Sequence, residues 1–102
     1  MNKVMDHNGK EVKLHILAPP GELLSEELVE RNITQTAFAY RLGMRQSHFN
    51  EILKGKRRIS PQTALKLEKA LGASAEFWMR LQVSYDLEIE RQKCDAAHVK
   101  SH

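Results

Sequence analysis

The sequence lacks most of the features that mark secreted, metal-binding or membrane proteins. It has one cysteine among 102 residues, which excludes an intramolecular disulfide. The five histidines are scattered, and no Cys/His spacing is typical of a zinc site. No apolar run is long enough to span a bilayer, and no apolar signal core lies near Met1. We therefore expect a soluble cytoplasmic protein that has no membrane partner, no metal and no other cofactor.

Signatures of enzymes are missing as well. The chain has no nucleophile–base pair, no phosphate-binding loop and no metal motif. Glu26, Glu27 and Glu30 lie on one predicted helix, where their carboxylates form a solvated face. Aromatic residues available for base stacking are absent from the basic stretch of the chain, which disfavours recognition of RNA. These absences predict a binding protein rather than an enzyme.

The stretch from Thr34 to Gly55 has the pattern of two short helices joined at a glycine. Thr34 can cap the first helix, and Phe38 and Leu42, four residues apart, fall on one of its faces. Gly43 follows directly, where the backbone can turn through a left-handed conformation. The second helix has an apolar inner face, formed by Phe49, Ile52 and Leu53. The pattern matches a helix-turn-helix, and the alternative is an ordinary helical hairpin with a solvated polar face.

The charges around this stretch favour a DNA-binding motif over a plain hairpin. The whole chain is only mildly basic, with a formal net charge of +3. Between residues 41 and 58, however, the only acidic residue is Glu51. The basic residues of the same stretch are Arg41, Arg45, Lys54, Lys56, Arg57 and Arg58. A basic run beside a helix face of amides and hydroxyls is the footprint of a protein that reads duplex DNA.

Three further helices complete a predicted all-α fold of five helices, with the helix-turn-helix at helices 2 and 3. Helix 1 is predicted from about Gly21 to Arg31, with Asn32 as its stop. Ser60-Pro61 combines a capping residue with a proline at the first helical position, which predicts the start of helix 4. Gly72 is its predicted end, and Ser74 is the predicted cap of helix 5.

The pattern divides the chain into three segments. They are an N-terminal extended or flexible segment over residues 1–19, a helix-turn-helix domain with a C-terminal dimerisation helix over residues 20–92, and a disordered tail over residues 93–102. Val12, Leu14 and Ile16 alternate with polar residues, as in a short strand. Because a lone strand has no partner within an all-α chain, this segment is either a loop or a strand lent to another molecule.

Helix 5 has a wider apolar side than a domain of this size needs for its core. Trp78 is predicted to be a core residue. The surplus can cover a second subunit. We therefore predict a homodimer whose interface lies on the outer side of helix 5, at Met79, Val83 and Leu87.

Three stretches of the sequence resemble those of known protein families. Five helices with a helix-turn-helix at the second and third resemble the lambda repressor-like domains of phage repressors and the XRE class. The residues Gly43-Met44-Arg45-Gln46-Ser47 resemble the turn and the start of the recognition helix in those repressors. Residues 20–24 and 72–87, the latter including Glu76-Phe77-Trp78 and Tyr85-Asp86-Leu87, closely resemble the HigA antitoxin family, also labelled VapI.

The resemblance implies a bacterial antitoxin of a type II toxin–antitoxin system. Such a protein binds as a homodimer to the inverted-repeat operator of its own operon and neutralises a HigB-like, mRNA-cleaving toxin. The alternative is a stand-alone XRE or phage-like repressor without a toxin partner. Both functions share every argument for binding to double-stranded DNA, and a small toxin-like gene beside this one would separate them.

In this fold the first residues of the recognition helix enter the major groove. The Gln46 amide has a donor and an acceptor, which suit the edge of adenine, and the Ser47 hydroxyl can take either role. Asn50, one turn later, can reach a second base pair. His48 is expected to contact either a base or a phosphate.

Phosphate contacts are predicted on both sides of that helix. Gln35 matches the position at which relatives of this family clamp a phosphate. Members of the family have Ser or Thr where this chain has Arg45, whose side chain cannot accept a capping hydrogen bond but can contact phosphate. Attraction that does not depend on base sequence is expected from Lys54, Lys56, Arg57 and Arg58.

Overall fold

The computed structural model describes residues 18–100, and the side chains of residues 18–95. These residues form five α-helices and no strand: α1 Pro20–Glu30, α2 Gln35–Arg41, α3 Gln46–Leu53, α4 Pro61–Leu71 and α5 Ala75–Lys100. The all-α, five-helix fold predicted from the sequence is confirmed. The possible strand at Val12–Ile16 lies outside the described residues. Within the described part of the chain, no helix is long and apolar enough to cross a membrane.

Three of the helices begin at a hydroxyl cap that the sequence predicts. In each case the side-chain oxygen accepts a hydrogen bond from the backbone N–H three residues on, which satisfies a donor that the helix itself cannot. The bonds join Thr34 to Ala37 at 3.1 Å, Ser60 to Thr63 at 3.2 Å, and Ser74 to Phe77 at 3.1 Å.

Helix α1 ends at the predicted stop residue. Asn32 has a φ of 57°, a left-handed conformation that asparagine adopts more readily than most residues. The chain then reverses, and the N–H of Ile33 donates to the carbonyl oxygen of Leu28 at 2.9 Å. This arrangement closes the last turn of α1 and sets the direction in which the chain enters α2.

The start of α1 packs directly on the end of α3. A Cβ atom added to Gly21 would overlap the carbonyl oxygens of Ile52 and Leu53. No side chain larger than hydrogen can therefore occupy position 21 unless the two helices move apart. Leu24 and Leu28, on the same side of α1, are buried in the core. Helix α1 thus supports the C-terminal end of α3 through backbone contact as well as through side chains.

Residues Pro19–Gln82 form one compact unit, and the chain from Val83 onward belongs to a second. The first unit contains the core, to which every helix contributes. Its fully buried large side chains are Leu24, Phe38, Phe49, Ile52, Ile59, Leu67 and Trp78. Burial of Trp78 agrees with its prediction as a core residue.

Helix α5 is longer than the sequence analysis predicts. A disordered tail is predicted from residue 93, but the helix continues to Lys100. The segment contains no glycine or proline that would end a helix. Its charges also support the helix, because Lys93 Nζ lies 3.6 Å from Glu90 Oε2, one turn away. The polar composition of the segment therefore reflects a solvated helix and not a loss of helical structure.

Candidate nucleic-acid interface

The turn between α2 and α3 depends on one glycine. Gly43 has a φ of 67°, and a Cβ atom placed on it would meet no other atom within 4 Å. The requirement for glycine is therefore conformational rather than steric. Two hydrogen bonds of 2.9 Å close the end of α2, from Gly43 N to Tyr40 O and from Met44 N to Ala39 O. The chain leaves α2 in a fixed direction as a result.

The two helices of the motif are held together by their inner faces. The rings of Phe38 and Phe49 pack with centroids 5.5 Å apart and planes tilted by 47°. Ala39 is 1% exposed, and its small side chain lets the two helices approach each other closely. Ile52 and Leu53 bury the rest of the inner face of α3. The outer face of this short helix is thereby held toward solvent.

The outer face of α3 contains three of the four predicted base-contacting residues. Residues of an α-helix are rotated by about 100° each, so Asn50 lies about 40° from Gln46 and about 60° from Ser47. Gln46 and Ser47 are exposed, and Asn50 is half-buried. His48 is half-buried too, but it lies about 160° from Asn50 and beside the buried Ile52. The helix therefore groups Gln46, Ser47 and Asn50 and separates His48 from them.

A hydrogen bond joins two residues for which the sequence predicts different roles. Asn50 Nδ2 donates to Gln35 Oε1 over 3.3 Å, between α3 and the first residue of α2. Gln35 is the predicted phosphate contact, and Asn50 is a predicted base contact. Because the two side chains fix one another, a displacement of one alters the position of the other. Fifteen residues separate them, and the sequence pattern contains no signal of this pair.

Arg45 is the residue before α3, and its side chain makes no capping hydrogen bond. The sequence predicts this, because arginine has no acceptor atom. The backbone of Arg45 is extended, with φ −61° and ψ 141°, and its carbonyl accepts from Phe49 N at 3.0 Å. The helix thus starts in the normal geometry, while the Arg45 side chain stays exposed and available to a phosphate.

The basic loop after α3, defined as residues 54–58, contains the four remaining cations predicted to contact phosphate. Lys54, Lys56, Arg57 and Arg58 are all exposed. Arg57 also binds Glu51 on α3: its Nη2 and Nε atoms lie 2.8 Å and 2.9 Å from the same carboxylate oxygen. This pair was not predicted, since residues six apart do not meet on a regular helix. It draws Arg57 toward the polar face of α3.

The end of the basic loop is anchored in the core. Ile59 is 1% exposed, and its backbone N–H donates to Gln82 Oε1 of α5 over 2.8 Å. Gln82 is itself 4% exposed. A buried hydrogen bond of this kind is costly to remove, because the N–H would be left without a partner. Gln82 is a positioning residue that the sequence analysis missed; the one available signal was a glutamine on the apolar side of α5.

The residues predicted for a dimer interface differ in exposure. Val83 and Leu87 are 46% and 47% exposed, whereas Met79 is half-buried against the core. Exposed aliphatic side chains four residues apart fall on one side of a helix. The interface at these residues stays a prediction.

Known proteins share this architecture. A family model for helix-turn-helix domains matches residues 24–78. The chain is 40% identical over 89 residues to Virulence-associated protein A of Dichelobacter nodosus. The aligned region covers 86% of this chain and 76% of that protein. An addiction module antidote protein of the HigA family from Coxiella burnetii has a TM-score of 0.75 and 33% identity, and covers 84% of this chain and 95% of its own. The antitoxin HigA of Pseudomonas aeruginosa was solved with the higBA promoter. It has a TM-score of 0.70 and 35% identity to this chain, and the match covers 83% of this chain and 89% of that one.

The turn at Gly43, the buried inner face of α3 and its exposed polar face define a helix-turn-helix protein, and this family of DNA-binding proteins is not enzymatic. The chain belongs to the XRE-type helix-turn-helix family and, within it, to the HigA (VapI-like) antitoxins. The family predicted from the sequence is confirmed.

Proposed function

We propose that this chain is the antitoxin of a type II toxin–antitoxin system and a repressor of its own operon. The observation that carries the proposal is the outer face of α3, where Gln46, Ser47 and the Gln35–Asn50 pair lie beside the basic loop. Amides and a hydroxyl read base edges, and the neighbouring cations bind phosphates. The HigA protein of Pseudomonas aeruginosa, which resembles this chain, was solved with the higBA promoter.

In the proposed complex α3 lies in the major groove. Gln46 pairs with an adenine edge, Ser47 contacts the adjacent base, and Asn50 reads the next base pair. Gln35 binds a phosphate at the start of α2 and holds Asn50 through their hydrogen bond. Arg45 and the basic loop contact phosphates without regard to sequence, and His48, which is separate from the three base-contacting residues, contacts the backbone of the duplex.

One such motif reads too few base pairs to discriminate an operator, so we propose a homodimer on an inverted repeat. The two half-site centres are then about one DNA turn, roughly 34 Å, apart. The exposed Val83 and Leu87 on α5, with Met79 at the margin, supply the apolar contact between the copies.

The proposed toxin is a HigB-like nuclease that cleaves mRNA, and we propose that the acidic face of α1 binds it. Glu22, Glu26 and Glu30 are exposed on α1, and they complement the basic surface that an RNA-cleaving protein needs. The segment Val12–Ile16 is a second proposed contact, in which it adds a strand to a sheet edge of the toxin.

The DNA part of the proposal is tested by selecting binding sites from a library of random duplexes. We expect one inverted repeat to be enriched and to bind far more tightly than random duplex at moderate salt. Equal affinity for both would contradict the proposal.

The toxin part is tested by co-expressing the chain with the product of the small open reading frame beside its gene. Growth arrest by that product alone, relief by the full chain and co-purification of the two support an antitoxin. Sequence-specific DNA binding without any toxic neighbour would instead support a stand-alone repressor.

A further inference from the structure

A cleft on the first unit is lined by positive charge. Its lining residues are Arg41, Leu42, Lys66, Lys69 and Ala70, at the C-terminal end of α2 and along α4, and its volume is about 260 Å³. The two apolar residues form part of the cleft wall, and no carboxylate is among the residues that line it. We call this surface the basic cleft.

A DNA phosphate is a poor match for the basic cleft. Arg41 lies at the opposite end of α2 from Gln35, about 9 Å along the helix axis. Arg41 and Lys69 are in the last turns of their helices, where backbone carbonyls concentrate partial negative charge. A compact anion inside the cleft would meet that negative charge, whereas carboxylates on flexible side chains can reach the cations from outside. The cleft is better suited to an acidic protein surface with an apolar centre.

The chain itself carries a surface of that kind. On α1, Glu26 and Glu30 flank Val29, which is 74% exposed, and together with Ser25 they line a groove of about 340 Å³. We call the exposed face of α1 that these side chains form beside the groove the acidic ridge. An apolar cavity of about 150 Å³ already accommodates benzene, so the basic cleft has room for the Val29 side chain. Once Val29 is inserted, the two flanking carboxylates come within reach of the cations at the rim of the cleft.

Neither surface is used by the proposed DNA or dimer contacts, but Glu26 and Glu30 of the acidic ridge also belong to the proposed toxin contact, so a second copy and the toxin would compete for them. No residue of α3, of the basic loop or of α5 lines the basic cleft or the groove of the acidic ridge. The two surfaces are therefore formed by residues other than those proposed to contact DNA or the dimer partner. A contact between two different patches leaves one patch of each copy free, and so it can link one DNA-bound dimer to the next.

We propose that the acidic ridge of one copy docks in the basic cleft of a second copy, so that neighbouring dimers bind DNA cooperatively. The inference rests on the proposed DNA-binding function. Exposed charge pairs contribute little each, so the contact is weak in free solution. It becomes significant when two adjacent operators raise the local concentration of the partners.

The test compares duplexes that carry one or two copies of the selected operator, with a series of spacings over one helical turn. For the unmodified protein we expect the second dimer to bind about tenfold more tightly than the first at the favourable spacing and at low salt. Glu30→Lys and Lys69→Glu should each bring this factor close to one. The double variant, in which the charges are exchanged, should restore the cooperativity.

Two control variants separate the contact from general charge effects. Glu22→Lys changes the charge of α1 outside the ridge, and Lys93→Glu makes the same charge change as Lys69→Glu on an exposed part of α5. Both should leave the cooperativity factor as it is. Circular dichroism should show that all variants keep the helical content of the unmodified chain.

Three results would overturn the inference. One is loss of cooperativity in both single variants without recovery in the double variant. A second is a larger loss of single-operator affinity with Lys69→Glu than with Lys93→Glu, which would make the cleft a DNA contact. A third is unchanged cooperativity with weaker binding of the neighbouring gene product, which would assign the ridge or cleft to the toxin. Failure to bind even a single operator would overturn the proposed function itself, and the inference with it.

Discussion

The inner and the outer face of α3 belong to the same eight-residue helix, yet their residues have opposite requirements. The inner face, with Phe49 and Ile52, is close to fully buried and depends on shape. The outer face, with Gln46 and Ser47, is exposed and depends on the placement of donors and acceptors. The core contacts therefore fix where α3 lies, whereas the outer residues are free to vary without affecting that position. The placement of this helix and its proposed recognition of DNA are separable.

Removal of a large inner side chain of α3 should have the largest effect on stability. Phe49→Ala should lower the free energy of unfolding by about 3–5 kcal/mol, because the lost ring leaves a cavity against Phe38. Urea denaturation measures the effect. Ser47→Ala, one face away and exposed, is the matched control and should stay within about 0.5 kcal/mol of the unmodified chain. Similar losses from both variants would mean that the two faces are not separable.

Changing the outer face should affect recognition and leave stability alone. We expect Gln46→Ala to weaken operator binding by about 1–3 kcal/mol and to relax the preference at one base pair of each half-site. Titration of operators substituted at each position measures both effects. An equal loss for operator and random duplex would show that Gln46 binds the backbone and not a base.

The basic loop should act on all sequences alike. Lys56→Ala should weaken binding to operator and random duplex equally and reduce the salt dependence of log K by about one unit. Lys93→Ala makes the same charge change on α5 and should leave that slope nearly unchanged. Loss of affinity for the operator alone would place Lys56 on a base edge.

The smallest expected effect comes from the charge pair between α3 and the loop. Glu51→Gln removes a carboxylate from the face of α3 that we propose to contact DNA, and it releases Arg57. Since exposed ion pairs are weak, we expect tighter binding to every duplex by less than about 1 kcal/mol at low salt. Weaker binding would mean that Glu51 holds Arg57 in a productive position, and Glu90→Gln on α5 provides the control.

Much of the fold could be predicted from the sequence, because its determinants are local. Thr34, Ser60 and Ser74 cap the helices that they precede, and Asn32 ends α1 as expected. Glycine at position 43 predicted the hinge of the motif. These signals depend on residues within one turn of each other, so the linear pattern contains them.

Three contacts that shape the candidate site could not be predicted. They are the bonds between Gln35 and Asn50, between Glu51 and Arg57, and between Ile59 and Gln82. Each joins residues from different elements, and each depends on how the helices pack before it can form. The length of α5 differs from the prediction for another reason. A polar segment that contains no glycine or proline can form a solvated helix, so polar composition alone does not indicate disorder.

The close contact at Gly21 restricts which residues position 21 can accept, although this position makes no proposed base contact. The missing side chain lets α1 lie against the last carbonyl groups of α3, so even one added methyl group would tilt or shift that helix. A saturation scan for repression should therefore find position 21 as intolerant as position 46, although nothing at position 21 faces the polar surface of α3. In the proposed complex, operator specificity can therefore be lost through a substitution beside the far end of α3, away from the residues proposed to contact bases.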